Sequence, residues 1–153
     1  MIGTRRLVTN EVDPASHHAV LALENYVRAS GLPPRLLNLI KIRASQLNSS
    51  AFCLDMHTRE AAEEGQSPRR LYVLAGWREA PDLFTTPERA ALSLTEAVTV
   101  ISRAGVPDNV WDDAAANFDE VELVKLLMAI ATINVWNRLA VATHKALPDG
   151  DTA

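Results

Sequence analysis

From Val121 to Val135 the chain reads VELVKLLMAIATINV, which on a helix is apolar around most of the circumference and is interrupted mainly by Glu122, Lys125 and Asn134. A helix of that kind needs cover on several sides, so it is either the central helix of a bundle or a contact between subunits. Asp119 and Glu122 fit a capping box at its start. The spacing predicts a helix from about residue 120 to His144, ahead of Pro148 and a polar tail over 148–153. Lys125 and Asn134 leave the stretch LVKLLMAIATINVW too short to span a bilayer, and no membrane partner is expected.

The remaining segments supply helices that could cover it. Asp13 before Pro14 is an N-cap signal, and Val20, Leu23 and Val27 recur at helical spacing until Gly31, which predicts a helix over 14–30. Pro33 and Pro34 open a second, to about Asn48, with Leu36, Leu37, Ile40, Ala44 and Leu47 on an apolar face and Asn38, Lys41 and Ser45 on another. A third covers SAFCLDMHTREAAEE and ends at Gly65, with Ser49 or Ser50 as its cap. Ser67 and Pro68 start a fourth, and the Gly, charges and Pro81 between Gly76 and Thr85 read as a loop. Thr85 and Glu88 fit a second capping box, opening a helix whose face is Leu94, Ala97, Val98 and Ile101 and which stops at Gly105. PDNVWDDAAANF is a short further helix. No run alternates with period two and no internal repeat stands out. The expected class is all-α: one domain over 1–153 of six or seven helices, with residues 1–13 as an N-terminal arm.

Charge and cysteine count narrow the function classes. Fifteen Lys plus Arg against nineteen Asp plus Glu give a net charge of −4 without a basic run, so nucleic acid is not an expected partner. The first residues, MIGTRRLVTNEVDP, lack the apolar run of a secretory signal, and a cytoplasmic location is expected. A single cysteine, Cys53, excludes an internal disulfide and a Cys-rich zinc site. No phosphate loop, nucleophile elbow or dinucleotide fingerprint is present, and neither a cofactor nor a metal is expected. His17, His18 and His144 lie far from His57 in sequence and could form a metal site with it only if the fold gathered them.

Cys53 and His57 are four residues apart on the third helix, hence on one face. With the helix beginning near Ser50, Cys53 falls in the first turn, where unpaired N–H groups and the helix dipole favour the thiolate, the reactive form of the side chain. Asp55 projects to a different side. On spacing alone, a lone cysteine on an apolar face is more often a small buried hydrophobe than a catalyst. Trp77, Trp111 and Trp136 read as core or interface anchors, and Asn134, Asn137 and Arg138 as polar groups that need partners at a helix or subunit contact.

The runs LIKIRASQLNSSAFCLDMHTREA, FTTPERAALSLTEAVT and LVKLLMAIATINVWNRLAVAT, in that order, resemble the carboxymuconolactone decarboxylase superfamily, and within it the alkylhydroperoxidase AhpD-like proteins, from about residue 15 to 147. The resemblance implies an all-helical fold, a homo-oligomer, commonly a trimer or hexamer, and active sites near subunit contacts. Redox members carry a glutamate, then C-x-x-C, then a histidine; the second cysteine attacks a hydroperoxide, the first resolves it as a disulfide, and the histidine and glutamate relay the proton. Position by position, the attacking cysteine is Cys53 and the histidine is His57. The resolving cysteine falls on Ser50 and the glutamate on Asn38. Serine cannot form a disulfide, and asparagine cannot accept a proton near neutral pH.

The resemblance therefore implies an antioxidant peroxidase, an oxidoreductase acting on a small hydroperoxide through Cys53 alone, with His57 as base and an external thiol as reductant. Two alternatives remain open. One is a redox-inactive binding or scaffold module; the other is decarboxylase-type acid-base chemistry, for which the sequence supplies no clear carboxylate-binding arginine near His57, Arg43 lying on the preceding helix. Glu60, Glu63, Glu64 and Glu96 are the acidic residues that could replace the missing glutamate.

Overall fold

The computed structural model describes residues 4–148, and among them the chain forms α-helices and short 3-10 turns with no strand. The α-helices are α1 (Thr9–Val12), α2 (Pro14–Arg28), α3 (Pro34–Leu47), α4 (Ala51–Glu63), α5 (Pro68–Val73), α6 (Thr86–Thr99), α7 (Asp108–Asn117) and α8 (Glu120–Thr143). The all-α expectation holds. The polar tail expected over 148–153 lies, after residue 148, outside the described residues, and the N-terminal arm contains the short α1.

Both expected capping boxes form: Thr85 Oγ1 accepts from the Glu88 amide and Asp119 Oδ1 from the Glu122 amide, with each glutamate returning a bond to the cap residue's amide. Asp13 caps α2 through the Ser16 amide. These caps satisfy N–H groups that the first helical turn leaves without an intrahelical partner. Ser50 differs from its expected role. It is the N-cap residue of α4, but its Oγ makes no capping bond.

α8 is the spine of the bundle, packing against α2, α3, α4, α6 and α7. Its buried residues include Leu126, Ala129, Ile130 and Ile133, and Leu126, Ala129 and Ile130 meet Val27, Leu37, Ile40 and Leu94 in the largest apolar cluster. At 24 residues α8 as a whole is long and apolar enough to cross a bilayer by length and composition, a test that a buried core helix also passes. Asn137, fully buried, donates to Ser45 Oγ at 2.9 Å and accepts from Asn48 Nδ2 at 3.0 Å, which ties α8 to α3 as a core helix.

Two other boundaries differ from the expected ones. α6 ends at Thr99 and not at Gly105, because the β-branched run Val98, Thr99, Val100, Ile101 gives way to a turn closed by Gly105 N–H to Ile101 C=O; Ile101, expected on the buried face, is exposed. Residues 74–83 form two 3-10 turns and not an open loop. Trp77 pins them, buried and donating through Nε1 to Glu96 Oε1 at 2.9 Å.

The connection that matters for the site is the turn from α3 to α4. Ser49 takes a left-handed conformation (φ 53°), and Ser50 N–H returns to Ser45 C=O, so that only Asn48, Ser49 and Ser50 separate α3 from α4. The thiol is thereby fixed relative to α3 and α8. At the other end of α8, His144 is also left-handed (φ 52°), and Lys145 N–H bonds back to Ala140 C=O, folding Lys145 under the helix terminus.

Candidate functional site

Cys53 is the third residue of α4 and His57 the seventh, and both line one cavity of about 230 Å³ between α2, α4 and the C-terminal part of α8. Apolar side chains of Leu21, Phe52, Met56, Trp136, Leu139 and Ala140 form much of its wall. Cys53 is 2% exposed and packs with Ala44, Ile133 and Ala140. The feature that distinguishes this face from ordinary core is the histidine.

His57 is 1% exposed; its Nδ1 lies 2.9 Å from Glu60 Oε2, and its Nε2 is buried without a partner among the described residues. Burial is the largest influence on the ring and lowers its pKa below 6.5; the bond to Glu60 opposes this, and the Lys41 charge adds to the lowering. The imidazole is therefore neutral at pH 7. Burial also acts to raise the Glu60 carboxyl, but hydrogen bonds from His57 and Arg28 outweigh it and the net shift is downward. An ionised Glu60 accepts the Nδ1 proton, which leaves Nε2 as the lone-pair nitrogen.

Behind His57 stands a charge cluster that sequence reasoning missed. Glu24 on α2 receives both Lys41 Nζ (2.6 Å) and Arg28 Nε (3.1 Å) on its Oε1, while Arg28 reaches across to Glu60 Oε1 at 3.1 Å. Glu24 lines the cavity, and its Oε2 is buried with no partner among the described residues. Burial works to raise its pKa, but Lys41 and Arg28 outweigh burial and keep the carboxyl below 4.5. The signal was present in the sequence: Glu24 sits four residues after Val20 and three before Val27, inside the apolar stripe of α2.

The other expected site residues fall elsewhere. Asn38 is buried on α3, but its Nδ2 donates to Glu64 Oε2 at 2.6 Å and it does not line the cavity. Ser50 is buried, its Oγ without a partner among the described residues, in a smaller depression shared with Phe52, Ala140 and Lys145. Of the four glutamates considered as replacements, Glu60 alone bonds His57; Glu64 pairs with Asn38, and Glu96 joins Arg43, Trp77 and Arg78. Arg43 is thus committed away from the thiol. His17 lines the cavity with its ring 5.5 Å from that of Trp136, and no group of metal-ligating side chains forms among the described residues. Lys145 places its Nζ 3.9 Å from the Phe52 ring centre on the cavity rim; burial lowers its pKa, and the neighbouring Cys53 works the other way.

Residues 14–97 match the model of the carboxymuconolactone decarboxylase family, a span that contains Glu24, Lys41, Cys53, His57 and Glu60. The chain belongs to that family. The uncharacterised protein YdfG of Bacillus subtilis is 37% identical over 139 residues, covering 91% of this chain and 94% of that one. A protein of unknown function from Agrobacterium tumefaciens, named as a candidate AhpD antioxidant defence protein, superposes with a TM-score of 0.93 at 41% identity, over 96% of this chain and all of its own. The AhpD-like fold is thereby shown. More distant structures with this fold include the debrominase Bmp8, solved as a cysteine-to-alanine variant in complex with 2,3,4-tribromopyrrole (TM-score 0.79, 19% identity, 92% of this chain and 75% of that one). A peroxidase-related protein from Silicibacter sp. TM1040 also shares the fold (TM-score 0.76, 20% identity, 86% and 70%).

Proposed function

We propose that this family member is a one-cysteine thiol peroxidase of the AhpD type, in which Cys53 reduces a small organic hydroperoxide and an external thiol restores it. The observation that carries the reading is the shared cavity of Cys53 and a neutral imidazole whose Nε2 is bare. Cys53 gives its proton to His57 Nε2, and the sulfur attacks the terminal oxygen of the hydroperoxide. The O–O bond breaks, the imidazolium returns the proton to the departing alkoxide, and an alcohol leaves with Cys53 as sulfenic acid. One external thiol then forms a mixed disulfide and releases water; a second displaces Cys53 as thiol and leaves as disulfide. In this reading the working form is a homo-oligomer, as the family resemblance implies, and it acts in the cytoplasm.

The test is stoichiometric hydroperoxide followed by mass spectrometry. Cys53 should gain one oxygen atom, the gain should vanish in Cys53→Ser, and peroxide consumption should require an added thiol. An unmodified Cys53 under conditions that oxidise free cysteine overturns the reading.

The near-complete burial of Cys53 among Ala44, Ile133 and Ala140 favours a second reading, a binding module for a small apolar ligand. A Cys53 inert to both hydroperoxide and iodoacetamide, in a protein that still binds apolar ligands in the cavity, selects it.

A further inference from the structure

Glu24 uses one oxygen for two cations and leaves the other with none: Lys41 and Arg28 both bond Oε1, and Oε2 is buried with no partner among the described residues. A buried carboxylate oxygen without a donor is costly, so one that persists on a cavity wall is a place where a ligand donor belongs. No side chain among the described residues supplies it. His57 Nε2 is itself an acceptor, Thr143 Oγ1 donates to Leu139 C=O at 2.7 Å, and the Lys145 ammonium lies over Phe52. Cys53 bonds neither Glu24 Oε2 nor His57 Nε2 among the described residues, and in the reading above its proton goes to His57.

The terminal hydroxyl of a hydroperoxide is the group that fits. We propose that Glu24 Oε2 accepts a hydrogen bond from the terminal O–H of the bound hydroperoxide, so that α2 contributes a substrate-orienting carboxylate to the thiol and imidazole of α4. The inference rests on the peroxidase reading above. Held in this way, the terminal oxygen is presented to sulfur, the alkyl group is left to the apolar lining that includes Phe52, Met56 and Trp136, and the departing oxygen takes its proton from the His57 imidazolium. The ligand class is narrowed to peroxides with a free O–H. Because Glu24 is already neutralised by Lys41 and Arg28, the carboxylate orients without adding an unbalanced charge beside the thiolate.

Two variants test this. Glu24→Gln removes the charge, and the double variant Glu24→Met with Lys41→Met removes the buried pair together, so that neither partner is left as an uncompensated charge. In each folded variant the rate of Cys53 oxidation by an alkyl hydroperoxide should fall about a hundredfold, while alkylation of Cys53 by iodoacetamide keeps its parental rate. An undiminished oxidation rate overturns the proposal, and so does an alkylation rate that falls in step, since Glu24 would then act on the thiol. Binding of the same hydroperoxide to Cys53→Ala, followed by tryptophan fluorescence with and without Glu24→Gln, reads the contact with no chemistry. A parent Cys53 that takes up no oxygen, with binding still dependent on Glu24, sinks the peroxidase reading alone; binding indifferent to Glu24 sinks the contact.

Discussion

His57 Nδ1 stands 2.9 Å from Glu60 Oε2, and the opposite nitrogen of the same ring is buried with no partner among the described residues. One carboxylate thus decides which nitrogen is available for chemistry. His57→Gln should slow sulfenic acid formation at Cys53 by about a hundredfold, the lower end of what a positioned base contributes. Glu60→Gln should slow it less, because the ring loses its orienting partner and keeps its basic nitrogen. Rapid-quench mass spectrometry of Cys53 measures both, and equal rates in parent and His57→Gln rule out the base role.

The same histidine makes stability depend on pH. Burial depresses its folded pKa below 6.5, so below that pH the unfolded chain binds a proton that the folded chain resists. Stability from this group is fully present above 6.5 and is lost as pH falls through the folded value. Glu24, Glu60 and Glu96 are also depressed, from 4.5, and their contribution is lost only at lower pH. Urea denaturation between pH 6.5 and 4.5 should show a decline in the parent that His57→Gln flattens; parallel curves exclude the linkage.

Ser50 carries a buried hydroxyl with no partner among the described residues, at the position where redox relatives are expected to hold the resolving thiol. Ser50→Ala should be neutral or stabilising by up to about 1 kcal/mol, since an unsatisfied hydroxyl is removed. Ser50→Cys places a thiol at the N-cap, three residues before Cys53, and should raise peroxide turnover with a dithiol reductant. Thermal melts and a coupled peroxidase assay check the two substitutions. A large loss of stability in Ser50→Ala means that the hydroxyl has a partner after all.

Asn137 joins α8 to the end of α3 through Ser45 and Asn48. Asn137→Ala removes two buried hydrogen bonds and should cost about 2–3 kcal/mol. The urea midpoint should fall without a change in slope. A variant as stable as the parent shows that this polar contact holds no net energy.

What could be read from the sequence was local. Thr85 with Glu88, Asp119 with Glu122, and Pro14, Pro34 and Pro68 each act within one helical turn, and all mark helix starts in the structure. The Cys53–His57 pair was legible because both lie on α4. Glu24 was not singled out: its meaning depends on Lys41, seventeen residues away on another helix, and no single-helix pattern reports that pairing. The turns at 74–83 were hidden because their Gly, Pro and charges describe a loop, whereas the order comes from the Trp77 indole bonded to Glu96 on α6. Lys145 entered the cavity rim through the left-handed His144, a conformation usually signalled by glycine.

The left-handed Ser49 between α3 and α4 has a consequence for how such a site can vary over generations. One residue added or removed between that turn and Cys53, inside the first turn of α4, would shift the helical register by about 100°, carrying Cys53 and His57 off the cavity wall together. Substitutions carry no such penalty, and this chain has serine and asparagine where its redox relatives are expected to hold cysteine and glutamate. The spacing from α3 to the thiol is therefore heritable as a unit: lineages can exchange the chemistry at each post, but they cannot move the posts.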